Sequence, residues 1–118
     1  MKYMLMIYED QAIYGPDGNG PAMHEVIGQH MAFGQQHGSL IAGGGGLKPP
    51  GTATTVRTQG GAQTLHDGPF AETKEQLGGF YLIDVPDLDA ALEVARKVPL
   101  SKDGAIEVRP LIEMDEPA

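Results

Sequence analysis

Short apolar runs separated by glycine, proline and charged residues divide this chain, and their spacing predicts its secondary structure. Residues 2–8 and 79–85 are apolar at almost every position, which is typical of strands whose two faces are both covered. Other runs are rich in β-branched residues or end at glycine or proline, as strands commonly do. The pattern therefore predicts strands at residues 2–8, 40–47, 52–57, 63–66, 79–85 and 105–112.

Two further segments have apolar residues at helical spacing and predict helices at residues 22–37 and 88–98. Gly38 is a suitable end for the first helix, because glycine accepts the backbone conformation of a C-terminal cap. Asp87 is the expected N-cap of the second, since its carboxylate can accept a hydrogen bond from a first-turn amide. The predicted apolar stripe of the first helix consists of Met23, Val26, Ile27, Met31 and Phe33, and that of the second of Ala90, Ala91, Leu92, Val94, Ala95 and Val98.

The order of these elements predicts one α+β domain over residues 1–118. Strand, helix, strand, strand, helix, strand is the split βαβ arrangement of a ferredoxin-like fold, written βαββαβ. Residues 52–66 add an inserted β-hairpin between the second strand and the strand at 79–85. Residues 9–21 are predicted to form a loop, and residues 115–118 a frayed tail.

The central strands predict a dimer. In a ferredoxin-like fold both helices cover one face of the sheet, yet residues 2–8 and 79–85 are apolar on both faces. A chain this short has no second layer left for the other face, and a large wet apolar face is unusual in a monomer. A symmetric homodimer that packs these faces together is the commonest solution.

The charge balance and the amino-acid composition of the chain exclude or disfavour several classes of function. Eight basic and sixteen acidic residues give a net charge of −8, which disfavours direct contact with nucleic acid or with an anionic membrane. The chain has no cysteine, so thiol nucleophiles and thiolate metal sites are excluded. The histidines lack the spacing of a zinc helix, and we expect neither a metal nor a cofactor. A start without a signal-peptide pattern predicts a cytoplasmic location.

Residues 67–75 combine a constrained turn with charges of both signs. Asp67 begins an Asp-Gly-Pro-Phe turn, where it either holds the turn by hydrogen bonding or transfers a proton. Glu72, Lys74 and Glu75 follow, either as acid, base or anion clamp, or as a solvated turn of helix. Phe70 would supply an apolar wall beside them. The sequence leaves both interpretations open.

Three histidines lie on the predicted first helix, and His30 is close to the centre of its apolar stripe. It is either a hydrogen-bonded core histidine or a catalyst, while His24 lies nearer the edge of that stripe. His66 precedes Asp67, but adjacent strand residues point to opposite faces, so contact between them is not expected.

Glu107 and Arg109 share one face of the last predicted strand, so they form an ion pair at the sheet rim, are solvated or bind a ligand. The glycine run at 43–46 lacks the Gly-Lys-Ser/Thr ending of a phosphate loop and is followed by Pro49 and Pro50. Close approach of backbones or a strand bulge is the better explanation for it, with room that would admit a ligand.

These segments together resemble the DGPF proteins of the YCII-related superfamily. The resemblance rests on the opening at 1–8, the run at 42–50, the segment at 54–57, the signature at 67–82 that begins with Asp-Gly-Pro-Phe, the strand at 80–85 and the stretch at 106–110. It implies a dimeric α+β barrel. It also implies an active centre made by a first-helix histidine and an aspartate, for which His24, His30 and Asp67 are the candidate catalytic residues.

Two functions follow from this resemblance. The first is a small-molecule site in the dimer cavity, either binding or acid–base catalytic, that takes a small organic acid, with Phe70, Glu72, Lys74 and Arg109 as ligand-binding residues. The second is a non-enzymatic interaction module for an extracytoplasmic-function sigma factor, with a role in transcriptional regulation. The family has no settled reaction, so the resemblance does not choose between them.

Overall fold

A computed structural model describes residues 1–114 of the chain; the predicted frayed tail at 115–118 lies outside the described residues. The strands are β1 (Lys2–Glu9), β2 (Ile41–Gly46), β3 (Thr54–Gln59), β4 (Ala62–Asp67), β5 (Gln76–Asp84) and β6 (Gly104–Pro110). The helices are α1 (Pro21–His37) and α2 (Leu88–Ala95), with short 3₁₀ turns at Gln11–Tyr14 and Pro50–Thr52.

The main sheet has the strand order β2-β5-β1-β6, and every neighbouring pair in it is antiparallel. This is the strand order of a ferredoxin-like βαββαβ domain, so the predicted fold class is confirmed. β3 and β4 form a separate two-stranded hairpin between β2 and β5, as the sequence predicted. Pro110 lies on β6, where an edge strand tolerates the missing backbone donor.

The core lies between the helices and one face of the sheet. Leu5 and Ile83, from the two central strands, have no exposed surface. Asp87 accepts a hydrogen bond from the Ala90 amide at 2.9 Å, which confirms the predicted N-cap of α2. The side chains buried together in this core are Tyr3, Leu5, Ile7, Phe33, Ile83, Val85, Ala91, Val94, Ala95 and Val98.

The buried stripe of α1 differs from the predicted one. Val26 and Phe33 are buried, but Ile27 is 49% exposed and Met31 is 65% exposed. The reason is the sheet edge beneath this part of the helix, where β2 ends in glycines that offer no side chains to pack against. His30 lies between Val26 and Phe33 along the buried side and is half-buried.

Two details of local structure differ from what the sequence offered. Residues 71–75 form no turn of helix; instead the Thr73 hydroxyl donates to the Glu75 carbonyl at 2.6 Å, and the Gln76 amide donates to Ala71 and Thr73. α2 is also shorter than predicted and ends at Ala95; the Lys97 and Val98 amides beyond it donate to carbonyls three residues back, so the last turn is tighter than an α-helix.

The described part of the chain is thin, and no element within residues 1–114 covers the second face of the main sheet. Its principal extents are 44 × 40 × 19 Å, and the short dimension is about one sheet plus one layer of helices. The radius of gyration is 16.1 Å, whereas a compact chain of this length has about 13.5 Å. The projecting hairpin and the open sheet face account for this difference.

Candidate functional site

A cavity of about 970 Å³ lies beneath α1 at the β2 edge of the sheet. Residues 16–19 and 47–52 border it, and the two segments approach so closely that a Cβ atom at Gly18 would lie 2.7 Å from the Pro49 ring. Its apolar walls come from both the helix and the sheet. They consist of Ile7, Met23, Val26, Ile27, Met31, Leu47 and Phe80, and the polar groups at its inner end are Glu9, Gln11, Tyr14, His30 and Tyr81.

Glycines make this space. At Gly46 a Cβ atom would meet no other atom within 4 Å, and at Gly45 it would lie 3.9 Å from the Phe80 ring. Gly44 has a φ of +158° and approaches the Phe80 carbonyl so closely that a Cβ would lie 2.6 Å from it. The ladder between β2 and β5 is irregular between Ile41 and Gly43. The predicted bulge and close backbone approach of the glycine run are therefore confirmed.

His30 and Tyr81 form a hydrogen-bonded pair at the inner end of the cavity. The Nδ1 atom of His30 lies 2.8 Å from the Tyr81 hydroxyl oxygen, which joins the middle of α1 to β5. Phe33 packs against the Tyr81 ring with a centroid distance of 5.0 Å, so the tyrosine is held from its other side. This packing fixes the direction of the hydroxyl group.

Burial controls the charge of both members of the pair. It lowers the pKa of His30 below its usual 6.5, although the nearby Glu9 charge and the Pro99 backbone act in the opposite direction. Burial also raises the pKa of Tyr81. At neutral pH the imidazole is therefore uncharged and the phenol keeps its proton.

Glu9 is the buried carboxylate behind this pair, and only 4% of its surface is exposed. The Tyr14 hydroxyl lies 2.7 Å from each of its oxygens, and the Ser101 amide donates to Oε2 at 2.9 Å. Burial and the hydrogen bond with Glu9 raise the pKa of Tyr14. Because these hydrogen bonds engage both carboxylate oxygens, Glu9 affects the pKa of His30 through its charge.

Sequence reasoning missed Glu9 because it placed the residue in a loop. The available signal was alternation: Tyr3, Leu5 and Ile7 point to the buried face of β1, and Glu9 is the next residue on that face. Tyr14 was missed for the same reason, since the loop in fact contains a 3₁₀ turn that directs this side chain inward.

Of the residues predicted to be catalytic, His30 alone lines this cavity. His24 is exposed on the same helix, and its Nε2 atom lies 3.2 Å from the Asn19 carbonyl. Asp67 is exposed at the end of β4, paired with Thr54 across the hairpin. The three candidates therefore do not meet within one chain.

The predicted ligand-binding residues lie elsewhere on the surface. Phe70 is exposed beneath the Arg57 guanidinium, 5.0 Å from its ring centroid, and Glu72 is exposed in the following turn. Lys74 borders a second cavity of about 910 Å³, which it shares with Glu107. Arg109 is exposed on β6 opposite Met4. Their part in binding stays a prediction.

Of the alternatives left open for Glu107 and Arg109, the ion pair at the rim does not form within one chain. Both side chains are exposed, and the ion pair found among residues 1–114 joins the N-terminal ammonium group to Asp84 at 3.3 Å. Within the same residues, no group of three histidine, aspartate or glutamate side chains is arranged to hold a metal ion. No helix in this part of the chain has the length and apolar character required to span a bilayer.

Comparison with known proteins identifies the family. The model of the YCII-related domain matches residues 1–115. The chain is also 52% identical over 67 residues to the uncharacterized protein R00369 of Rhizobium meliloti (strain 1021), an alignment that covers 55% of this chain and 54% of that relative. The match thus spans about half the length of the curated relative. Because the family model covers nearly all of the chain, this protein belongs to the YCII-related family.

Proposed function

We propose that the cavity beneath α1 binds a small organic molecule and that the Tyr81–His30 pair exchanges a proton with it. The hydrogen bond of 2.8 Å between these two side chains, at the polar end of an open cavity, carries this proposal. A neutral imidazole behind a protonated phenol is a suitable acid–base couple near neutral pH. Family membership is consistent with this proposal but names no reaction.

The proton path follows from the tautomer of His30. When the proton of the neutral imidazole is on Nε2, Nδ1 is free to accept the Tyr81 hydroxyl hydrogen over the 2.8 Å that separate the two atoms. As a ligand O–H or C–H bond breaks, its proton adds to the Tyr81 oxygen and the tyrosine's own proton passes to Nδ1. The Glu9 carboxylate then stabilises the imidazolium that forms. The reverse transfer returns the proton to the same or another ligand atom.

A matched pair of histidine variants on α1 tests this site. We expect His30→Gln to weaken binding of a cavity ligand by at least about tenfold, the loss of one well-placed polar contact. His24→Gln, which changes an exposed histidine outside the cavity lining, should change affinity less than twofold. Ligands are to be found by NMR screening of small hydroxyl and carbonyl compounds, with affinities from titration of the backbone amide signals.

The same spectra include the decisive readout. A ligand in the proposed site must perturb the imidazole signals of His30 and shift their titration midpoint. Equal weakening by the two variants, or binding that leaves the His30 signals unmoved, would contradict the assignment. In that case the catalytic residues predicted in the turn, above all Asp67, would become the better candidates.

We further propose that the chain forms a homodimer through the open face of the main sheet. Met4, Met6 and Tyr8 of β1 point to this face, and all three are only half-buried in one chain. Glu107 and Arg109 flank these residues on β6, and a two-fold axis can bring the acid of one copy to the base of the other. One acidic and one basic group on the same face favour a second copy as the partner.

An interaction module is the second candidate function, and the hairpin is the feature that favours it. Val56 and Leu65 are opposite each other across β3 and β4 and are exposed, as is Phe70 at 75%. Two strands alone bury little, so this apolar pair is suited to contact with another protein. If a sigma factor is that partner, the unmodified chain should capture the sigma factor in a pull-down at micromolar concentration. Leu65→Asp should abolish this capture, and His30→Gln should leave it unchanged. Failure of the unmodified chain to capture the sigma factor would remove this candidate function.

A further inference from the structure

Exposed apolar side chains surround the mouth of the cavity beneath α1. Ile27 and Met31 lie on the helix, and Leu47, 45% exposed, lies directly after β2. Exposed apolar side chains gathered at one opening indicate a binding surface more than scattered ones do. Methionine in particular adapts its shape to what it contacts. The mouth therefore suits the apolar body of a ligand.

The floor beside these side chains consists of glycines and has no side chains of its own. Residues 44–46 present their backbone along the cavity, and Gly46 faces open space. The ring of Phe80 adjoins this floor, 3.9 Å from where a Cβ at Gly45 would lie. A planar molecule can contact exposed peptide groups and a ring edge over its whole face, whereas a puckered molecule touches them at few points.

The charges around the cavity disfavour an anion at its inner end. Glu9 lies there as a buried carboxylate, and the uncharged His30 supplies no balancing positive charge. Of the residues that line the cavity, Lys48 alone is a lysine or arginine; it is near the mouth and is offset by Asp17 in the facing loop. An uncharged ligand avoids the cost of bringing a second negative charge towards Glu9.

We propose that the ligand is a planar, uncharged aromatic or conjugated molecule with one hydroxyl group, which donates to the Tyr81 oxygen, and that Gly46 sets the size it can reach. Its body lies on the backbone of residues 44–46 beneath Ile27 and Met31. Its oxygen points inward to the hydroxyl of Tyr81. This assignment rests on the proposed function of the cavity and specifies the chemical class that the cavity takes.

Three probes of one skeleton separate shape from charge. 2-Naphthol is planar and uncharged, decahydro-2-naphthol is uncharged but puckered, and 2-naphthoate is planar but anionic. We expect 2-naphthol to bind the unmodified chain at least about tenfold more tightly than either of the others, a difference of 1.4 kcal/mol. NMR titration at neutral pH, followed on the amides of residues 44–46 and on the His30 imidazole, measures all three.

Gly46→Leu tests the position of the ligand, and Gly28→Leu is its matched control. A Cβ atom at either glycine meets nothing within 4 Å, and neither glycine has a positive φ, so both variants should fold. Gly46 lines the cavity and Gly28, exposed on α1, does not. We expect Gly46→Leu to weaken 2-naphthol binding at least about tenfold, because the new side chain fills the space of the ligand, and Gly28→Leu to leave it unchanged.

The outcomes distinguish this inference from the function on which it rests. If 2-naphthoate or decahydro-2-naphthol binds as well as 2-naphthol, and Gly46→Leu blocks that binding, the cavity is a ligand site but the proposed class is wrong. If 2-naphthol binds and is insensitive to Gly46→Leu, the assigned position is wrong. If none of the three probes perturbs the signals of His30 or of residues 44–46 at millimolar concentration, the proposed ligand class is overturned. The proposed function still stands if another compound of the NMR screen binds and shifts the His30 signals. If no compound of the screen does so, both the ligand class and the proposed function are overturned.

Discussion

Replacing Glu9 with alanine is expected to destabilise the fold by about 3 kcal/mol, the cost of leaving buried polar groups without partners. The substitution removes the acceptor of the Tyr14 hydroxyl and of the Ser101 amide, both of which bond it at less than 3 Å. The Glu9 carboxylate connects three segments by hydrogen bonds, namely the end of β1, the 3₁₀ turn at Gln11–Tyr14 and the loop before β6, and the substitution removes all of these bonds. Urea unfolding followed by circular dichroism measures the change.

Two further variants separate the causes. Glu107→Ala removes an exposed carboxylate from β6 and should change the free energy of unfolding by no more than about 0.5 kcal/mol. Glu9→Gln keeps the shape and an acceptor but removes the charge, so it should cost less than Glu9→Ala. If Glu9→Ala lowers the free energy of unfolding as little as Glu107→Ala does, the buried hydrogen bonds of Glu9 contribute little to stability.

Glu9→Gln should also lower the pKa of His30 further. The negative charge of Glu9 is one of the influences that raise this pKa, and without it only burial and the Pro99 carbonyl remain. Because the pKa of His30 is lower in the folded chain than in the unfolded one, the unfolded state takes up its proton first as the pH falls. The contribution of His30 to stability is therefore present above the unfolded value of about 6.5 and is lost below it. NMR titration of the imidazole gives the midpoint in each variant.

Met6→Lys is expected to separate the proposed dimer into single chains. Met6 points to the open face of the main sheet, and a lysine there would bury an unpaired charge between two copies. We expect the dissociation constant to rise by at least about 100-fold, or 2.7 kcal/mol. Light scattering should give the unmodified chain twice its monomer mass of 12.5 kDa. At the same concentration the Met6→Lys variant should have the monomer mass.

Met31→Lys is the matched control, because it makes the same change on the helix side of the molecule. Met31 is exposed on α1, away from the open sheet face, so its lysine variant should keep the mass of the unmodified chain. A monomeric unmodified chain would contradict the dimer proposal. So would a Met6→Lys variant that keeps the dimer mass.

Periodicity was sufficient to predict the fold. The alternation in β1, the helical spacing in α1 and α2 and the turn residues of the hairpin are local signals, and they lead to one known arrangement of strands. Asp87 was recognised as a cap because capping depends on the residue and on the three or four that follow it. Bounds of elements were less accurate, as at α2, because packing decides how far a helix end persists.

The candidate site could not be predicted to the same extent. The pair of His30 and Tyr81 joins residues 51 positions apart, and the Glu9 carboxylate meets an amide 92 positions away. Nothing in the spacing of these residues indicates that they meet, because only the pairing of β1 with β5 and the crossing of α1 over them bring them together. The residues that looked richest in chemistry, at 67–75, are instead dispersed over the hairpin base and the surface.

The sequence by itself determined the element order, the α+β class and the presence of a side-chain-free edge at residues 43–46, since each follows from local propensity and burial pattern. Only the tertiary structure decided that this edge lies beneath α1, that Ile27 and Met31 remain exposed above it, and that His30 bonds Tyr81 in front of a buried Glu9. The physical reason is that backbone preference acts over a few residues, whereas a cavity and its charges arise from contacts between segments far apart in the chain.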